Sequence, residues 1–564
     1  MTTSTTQPAA DPRRWIAFAV VLAAGFMDLL DVTIVNVAIP SIQGDLRAEY
    51  SQIEWIIAAY VLAFAAVLIT GGRLGDIYGR KRVFLTGIAG FTLASAVCGL
   101  ATDPNILIAA RFAQGAMGAL MVPQILAIIQ TTFPKEERAK AIAIYSGVGG
   151  SASAVGLALG GVLVQADLFG LAWRPIFLVN IPVGIAGFIA AAFVMTDSKS
   201  PSAPKLDPVG MVLAVAAILL LVFPLAEGRR LGWPAWTFAM MMGAVGVFIA
   251  FLLYERALTR AGRSPLVDLG LFRSRPFAVG LGAWLLFWIG MGGFFLVWTL
   301  FMQAGLGWTP MRAGLTAAFF AVGAGVGAGM SVGVLAARFG RRVLIIGALV
   351  NAVGFAIFGA MAVRYGSEFT SWQMVLPLIL TGAGFGMVVA PTLDLLLGQV
   401  PVREAGSASG LLNTGQQLGT ALGVTLVGVL FFAALEQNSD RGVEKATPLI
   451  RAELATAGVP LSTQDQILVG FADCVHDRSA LADPSVAPVS CQLPTNQPGS
   501  EQISRILAEA GSEANAVNFA ETFRYTLFYG IGSLLLVCLG FFALPKDAKL
   551  KPPTLDPEPE IVTV

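Results

Sequence analysis

Apolar runs of about 18 residues or more, each closed by polar residues or by glycine and proline, recur along the chain, and at that length they predict membrane-crossing helices. Fourteen are expected, near residues 15–39, 53–71, 83–101, 105–131, 141–165, 175–195, 208–226, 235–254, 277–301, 311–337, 343–363, 372–398, 406–433 and 524–544. One stretch breaks the pattern. From roughly 434 to 522 the chain is polar, and only its far end, at Ile503, Leu507, Ala510, Ala514 and Val517, regains the apolar spacing of a helix face. This stretch is expected to form an insertion outside the bilayer, a cap, lid or partner-docking surface whose last part docks on the bundle.

Composition agrees with a bilayer as solvent. Charged residues make up 13% of the chain and hydrophobic ones 56%, with a mean hydropathy of +0.75, whereas a soluble domain carries roughly a quarter charged residues. The net charge of +1 gives no sign of a nucleic-acid partner. Arg13 and Arg14 precede the first apolar run, but that run is too long for a cleaved signal peptide and reads as an uncleaved first span.

An even number of spans puts both ends on one side, and the positive-inside bias selects which. Most of the 36 Lys and Arg fall in the tails and in the loops on the same side, in clusters such as Arg80-Lys81-Arg82, Arg273/Arg275 and Arg338/Arg341/Arg342. The other side has only scattered cations such as Arg47, Arg174 and Arg312. The expectation is a multi-pass plasma-membrane protein with both termini in the cytoplasm and the insertion outside it. Cys474 and Cys491 both lie in that insertion and are candidates for a disulfide if it faces an oxidising compartment. Cys98 and Cys538 sit in apolar runs and read as core residues.

The segment Gly72-Arg73-Leu74-Gly75-Asp76-Ile77-Tyr78-Gly79-Arg80-Lys81-Arg82 recurs as Gly333-Val334-Leu335-Ala336-Ala337-Arg338-Phe339-Gly340-Arg341-Arg342, each copy between two spans. An internal duplication follows, pairing span 2 with span 10. The expected fold is an all-α polytopic membrane protein with two six-helix halves plus two inserted helices. Its parts are a cytoplasmic N-tail (1–14), a first half (15–195), inserted spans with a cytoplasmic loop (196–276), a second half (277–544) containing the insertion 434–522, and a cytoplasmic C-tail (545–564).

Ionisable residues inside spans point to function, because a charged carboxylate at mid-helix costs about 2.5–3.5 kcal/mol on insertion scales. Asp28 and Asp31 share a face of span 1. Two acids so close resist ionising together, a property suited to proton coupling. Arg111 in span 4 is the other deep charge. At about 1.5 Å per residue, Asp31 lies roughly 24 Å from the inner start of its span and Arg111 roughly 9 Å from the outer start of its own, so both occupy the outer half and a pair is allowed. Asp394 in span 12 lies near Pro401, close to the inner end. Aromatic residues crowd span 9, where Trp284, Trp288 and Phe295 are candidates, with Gln114 and Asp394, for the lining of a substrate cavity. Glycine-rich runs in spans 5 and 10 allow close helix approach. No nucleophile–base set, metal cluster or nucleotide loop is present, so no enzyme, metal or cofactor is expected.

Together these motifs resemble the major facilitator superfamily and, within it, the fourteen-span drug:proton antiporters of the EmrB/QacA kind. Gly72-x-Leu74-x-Asp76-x-x-Gly79-Arg80-Lys81 is similar to the superfamily's loop 2–3 signature, which implies a cytoplasmic gate at Gly72, Asp76, Gly79, Arg80 and Lys81. Leu30-Asp31-x-Thr33-x-x-Asn36-x-Ala38-x-Pro40 resembles the span 1 motif of the fourteen-span group, and Arg111-x-x-Gln114-Gly115 the span 4 motif. By resemblance, Asp31 and Arg111 couple protons to transport, and Asp28, on the same helix face as Asp31, is expected to act with them. Trp173-Arg174-Pro175 through Asn180-Ile181-Pro182 is similar to the family's opening of span 6. Two departures stand out: Leu157 occupies the place of the usual proline in the span 5 antiporter motif, and Ala337 replaces the aspartate in the second-half loop. The resemblance implies a monomeric antiporter that uses the proton gradient, with no other cofactor, to export lipophilic or cationic compounds. Transport of one defined metabolite, such as a siderophore, lipid, sugar or self-made antibiotic, fits the same residues. A non-transporting membrane sensor is the alternative from another class.

Overall fold

The computed structural model of the chain describes residues 13–48, 50–198, 207–228, 231–263, 265–267, 269–398, 400, 405–480, 488–491 and 500–544. Both tails beyond these limits, and the side chains of Leu157 and Ala337, lie outside the described residues. All regular structure among the described residues is helical. In chain order the helices are α1 (Arg14–Leu46), α2 (Tyr50–Tyr78), α3 (Arg80–Gly99), α4 (Pro104–Thr132), α5 (Lys135–Ala166), α6 (Pro175–Val194), α7 (Pro208–Glu227) and α8 (Ala235–Arg260). There follow α9 (Arg275–Leu300), α10 (Pro310–Met330), α11 (Arg342–Tyr365), α12 (Val375–Gly398), α13 (Ala405–Gln437), α14 (Ser439–Thr456), α15 (Leu461–Ala480) and α16 (Ser500–Phe542). Thirteen described helices are long and apolar enough to cross a membrane. The 32-residue α5, packed along α1 and α10, takes the remaining place in the bundle.

The packing follows from where each helix hides its small and apolar residues. In the first half α4 lies against α2 and α3, α1 against α5, and α3 against α6. In the second half α12 lies against α10 and α11, while α9 and α16 pack on each other and on α13 and α11 respectively. The halves meet where α5 runs along α10 and α2 along α13. α7 and α8 pair with each other and rest on α2, outside the two six-helix groups.

One face of the bundle holds the start of α1 and the end of α16. Arg14 pairs with Glu137 there at 2.8 Å, and Arg341 donates to the Phe542 carbonyl at 3.2 Å. The repeated segments both turn on this terminal face, through Gly79 at φ +102° and Gly340 at φ +54°. Those left-handed positions explain why each copy keeps a glycine there.

The polar stretch, expected as a cap or insertion whose far end docks on the bundle, is helical over most of its described residues. α13 continues to Gln437, α14 and α15 fold back, and α16 runs 43 residues without a break into the last span. The apolar spacing at Ile503–Val517 is thus the first part of the last span's own helix, which begins well before the expected 524. α14, α15 and the start of α16 close a small core of Ala446, Ile450, Leu454, Leu468, Phe471 and Ile506. Cys474 and Cys491 are joined in a disulfide. Asn515 ties this cap to the bundle by donating to the Ala304 carbonyl at 2.6 Å.

The glycines of α10 and α12 bring two backbones into contact. A Cβ on Gly327 would overlap the Ala383 carbonyl and lie 2.7 Å from its carbonyl carbon and Cα. Backbone cannot step aside as a side chain can. Gly327→Val is therefore expected to destabilise the protein by about 3 kcal/mol, seen as a lower unfolding midpoint in detergent. Gly329→Val, on the same helix with nothing within 4 Å, should leave the midpoint in place.

Candidate functional site

The deepest polar cluster draws one or two residues from each of several first-half helices. Asp31 from α1 is fully buried, and its acceptors are all used. Its Oδ2 receives Arg111 Nη1 from α4 in an ion pair. Its Oδ1 receives Gln114 Nε2 and Asn180 Nδ2, each at 2.8 Å. Ser95 of α3 accepts from the same Gln114 nitrogen at 2.8 Å. Arg111 is held in turn by Gln114 Oε1 at 2.7 Å and by the Ile56 carbonyl at 3.2 Å. A buried ion pair is tolerated only when its remaining lone pairs and protons are satisfied in this way.

Asp28 enters through Tyr60 of α2. The Tyr60 hydroxyl donates to Asp28 Oδ1 at 2.6 Å, while its ring lies 4.2 Å beneath the Arg111 guanidinium. One aromatic side chain therefore touches both the second acid and the only guanidinium serving the first. Two carboxylates and one guanidinium sum to one negative charge when all are ionised, and a single added proton makes the set neutral. The residues Asp31, Asp28, Arg111 and Gln114, singled out from the sequence, thus stand together. Tyr60, Ser95 and Asn180 complete the set and carried no role in the sequence reading. Asn180 had been visible as a lone amide in an apolar run, a polar residue that must find a partner away from water.

The gate-motif residues form a second cluster at the terminal face. Arg80 donates to Asp76 Oδ1 at 2.7 Å, with both side chains buried. Lys81 Nζ reaches the Ala192 and Met195 carbonyls at 2.7 and 2.6 Å, binding the α2–α3 turn to the end of α6. A Cβ on Gly79 would collide with the Asp197 carboxylate, which pairs with Arg82 at 3.2 Å. Gly72 is buried beside them. Bonds between the halves lie near the same face: Gln130 Nε2 donates to the Leu397 carbonyl at 2.7 Å, and Ser409 to the Pro123 carbonyl at 2.7 Å.

The proposed cavity residues do not share one setting. Gln114 belongs to the Asp31 network. Trp284 is buried with its indole donating to the Leu412 carbonyl at 3.0 Å, and Trp288 packs edge-on against Phe385. Phe295 lies against Phe320. These rings are an aromatic core of α9, α10 and α12, placed there because large flat side chains fill the space between three helices. Asp394 is half-buried on α12, within electrostatic reach of Arg138 of α5. On the opposite face Asp45 accepts from the Trp173 indole at 3.0 Å and from Arg174 at 2.7 Å, which together hold its carboxyl below the usual range.

A family model described as Major Facilitator Superfamily matches residues 21–424. The "Probable actinorhodin transporter" of Streptomyces coelicolor is 39% identical over 94% of this chain and 92% of its own length. The "Tetracenomycin C resistance and export protein" of Streptomyces glaucescens is 36% identical over 74% of this chain and 76% of its own. The "Multidrug resistance protein Stp" of Mycobacterium tuberculosis is 31% identical over 75% and 77%. Among solved structures, the human organic anion transporter MFSD10 superposes with a TM-score of 0.51 at 15% identity, covering 93% of this chain and 100% of that one, a likeness of fold alone.

Proposed function

We propose that this chain, which belongs to the Major Facilitator Superfamily, exports lipophilic or cationic drug-like compounds across the plasma membrane in exchange for protons. It is a multi-pass transporter of that family and not an enzyme. Three relatives carry names that describe antibiotic or multidrug transport, resistance or export. That is the ground for taking drug-like small molecules as its substrates.

The observation that carries proton coupling is the buried Asp31–Arg111 pair with Asp28 one aromatic ring away. A proton on Asp31 cancels its attraction for Arg111, while Gln114 and Asn180 keep partners on a neutral acid. Arg111 is then free to favour the other arrangement of the halves. A ligand shifts such an equilibrium only by binding the two states differently, and a proton that makes or breaks this pair does so. The gradient needs no further cofactor. Basic residues clustered at the terminal face support a cytoplasmic position for both ends, and the disulfide in the cap supports an oxidising space on the opposite side. The acting unit in this reading is a monomer.

On the substrate side, the indole N–H groups of Trp288 and Trp298 are buried without an acceptor. A bound molecule carrying carbonyl or hydroxyl oxygens would satisfy them. Narrow export of one self-made antibiotic is a second reading, favoured by the 39% relative that also spans the cap.

The test is reconstitution into liposomes with an imposed pH gradient and a panel of fluorescent cationic and neutral compounds. Substrate should accumulate on the acidic side and the accumulation should collapse when the gradient is dissipated. Movement indifferent to the gradient ends the coupling claim, and response to a single panel member selects the narrow reading.

A further inference from the structure

The inserted pair α7–α8 holds two buried acids that the Asp31 network does not use. Asp207 precedes α7, and its Oδ1 accepts from Gly210 N at 2.9 Å and from the Tyr254 hydroxyl at 3.1 Å. Glu255, near the end of α8, is 0% exposed, and its Oε2 accepts from Val267 N at 3.4 Å. The other two oxygens, Asp207 Oδ2 and Glu255 Oε1, are buried with no donor. Both press on Gly210, where an added Cβ would lie 2.5 Å from Glu255 Oε1 and closer still to Asp207 Oδ2. Because both oxygens crowd the one Gly210 position, the two carboxyls face each other across it.

Two ionised carboxylates in contact repel, and burial removes the water that would shield them. One shared proton turns the same contact into a charge-assisted O–H···O bond. A divalent cation is the wrong occupant. The neighbours are N–H and O–H donors rather than oxygen ligands, and the Gly210 backbone fills the space that six or more ligands would need.

This pair also fixes a loop. Leu266 and Val267, 0% and 4% exposed, plug into a cluster with Leu62 and Ile69 of α2 and Phe251 of α8. Arg73 of the gate motif donates to the Pro265 carbonyl at 2.5 Å. The loop is thus tied at one end to Glu255 and at the other to Arg73, three residues before Asp76 on α2.

We propose that Asp207 and Glu255 form a second proton-binding site, separate from Asp31 and Asp28, whose single shared proton holds the 265–267 loop against Arg73 of the gate motif. Of the titratable and charged groups around the pair, Tyr254 donates to Asp207, Arg263 beyond the end of α8 lies within electrostatic reach of Tyr254, and Arg73 from α2 meets the Pro265 carbonyl on the loop. When the proton leaves, two adjacent negative charges push Glu255 away from Asp207, and Val267 N loses its acceptor. The inserted helices then act as a proton-sensitive clasp on the gate.

The experiment is hydrogen exchange of the Val267 amide in the full-length protein in lipid nanodiscs, from about pH 5 to about pH 9, corrected for intrinsic exchange. Protection in the wild type should fall about tenfold or more as the pair loses its proton. Glu255→Gln and Asp207→Asn should each hold protection high and independent of pH, because an amide–acid pair keeps the hydrogen bond without a proton to lose. Gly210→Ala, which wedges a methyl against both oxygens, should lower protection at every pH. Asp31→Asn should leave the slope intact, which keeps this site distinct from the proposed coupling site. Flat protection in the wild type, a slope that survives in both Glu255→Gln and Asp207→Asn, or a slope that vanishes in Asp31→Asn overturns the proposal.

Discussion

Asp31→Asn is expected to lower gradient-driven transport by about 100-fold or more in reconstituted vesicles while the protein still folds. The asparagine keeps the size of the side chain and an oxygen for Gln114 and Asn180, so the bonds at 2.8 Å retain an acceptor. It has no proton to take up or release. A side chain whose charge is independent of pH binds both arrangements of the halves alike as far as protons are concerned, so the gradient has no differential grip. Losing a coupling of roughly 2.7 kcal/mol is a hundredfold change. Counterflow of labelled substrate with no gradient should persist, because it requires only that the halves exchange. Gradient-driven uptake at wild-type level in Asp31→Asn would remove Asp31 from the coupling path.

The second large effect is on stability. Arg111→Ala leaves Asp31 buried without its cation, leaves Gln114 Oε1 with only the weak Cys98 thiol as donor, and takes the guanidinium from the Ile56 carbonyl. Breaking a buried pair by removing one partner costs about 3–5 kcal/mol, chiefly because the other charge remains out of water. The unfolding midpoint in detergent should drop accordingly, and adding Asp31→Asn to the same protein should recover a large part of the loss. If the double variant is no more stable than the single one, the stranded carboxylate is not the cause. Arg111→Lys is not a rescue, since an ammonium cannot spread across Asp31, Gln114 and the Ile56 carbonyl as a planar guanidinium does.

Much of this was legible in the sequence because a bilayer narrows the choices. Apolar runs of sufficient length must be helices, and a deep Asp and Arg must find each other. Depth along α1 and α4 put Asp31 and Arg111 both in the outer half, which allowed the pair. What the sequence did not convey is which small polar residues finish a site. Tyr60, Ser95 and Asn180 are single polar residues in apolar helices, and their direction depends on how those helices rotate against one another. The aromatic residues of α9 are a weaker signal for the reverse reason: Trp and Phe fill a core and line a cavity alike, and the crowding of Trp284, Trp288 and Phe295 along one span does not separate the two. Asp207 and Glu255 escaped notice because they sit near helix ends, where an acid usually meets solvent. Their burial comes from tertiary contacts, Tyr254 against Asp207 and the 265–267 loop against Glu255. The continuity of Ser500–Glu521 with the last span was not legible, because that segment is too polar to look like a span although its backbone is the same helix as the apolar half.

That unbroken helix has a mechanical consequence. At about 1.5 Å per residue, 43 residues make a rod of roughly 64 Å. A rod cannot bend at a hinge it lacks, so whenever the second half tilts, the cap must swing with it as the long arm of a lever. Small angular strokes along the apolar half of the helix become displacements of several ångströms at its polar end, and anything gripping the cap holds the handle of the machine.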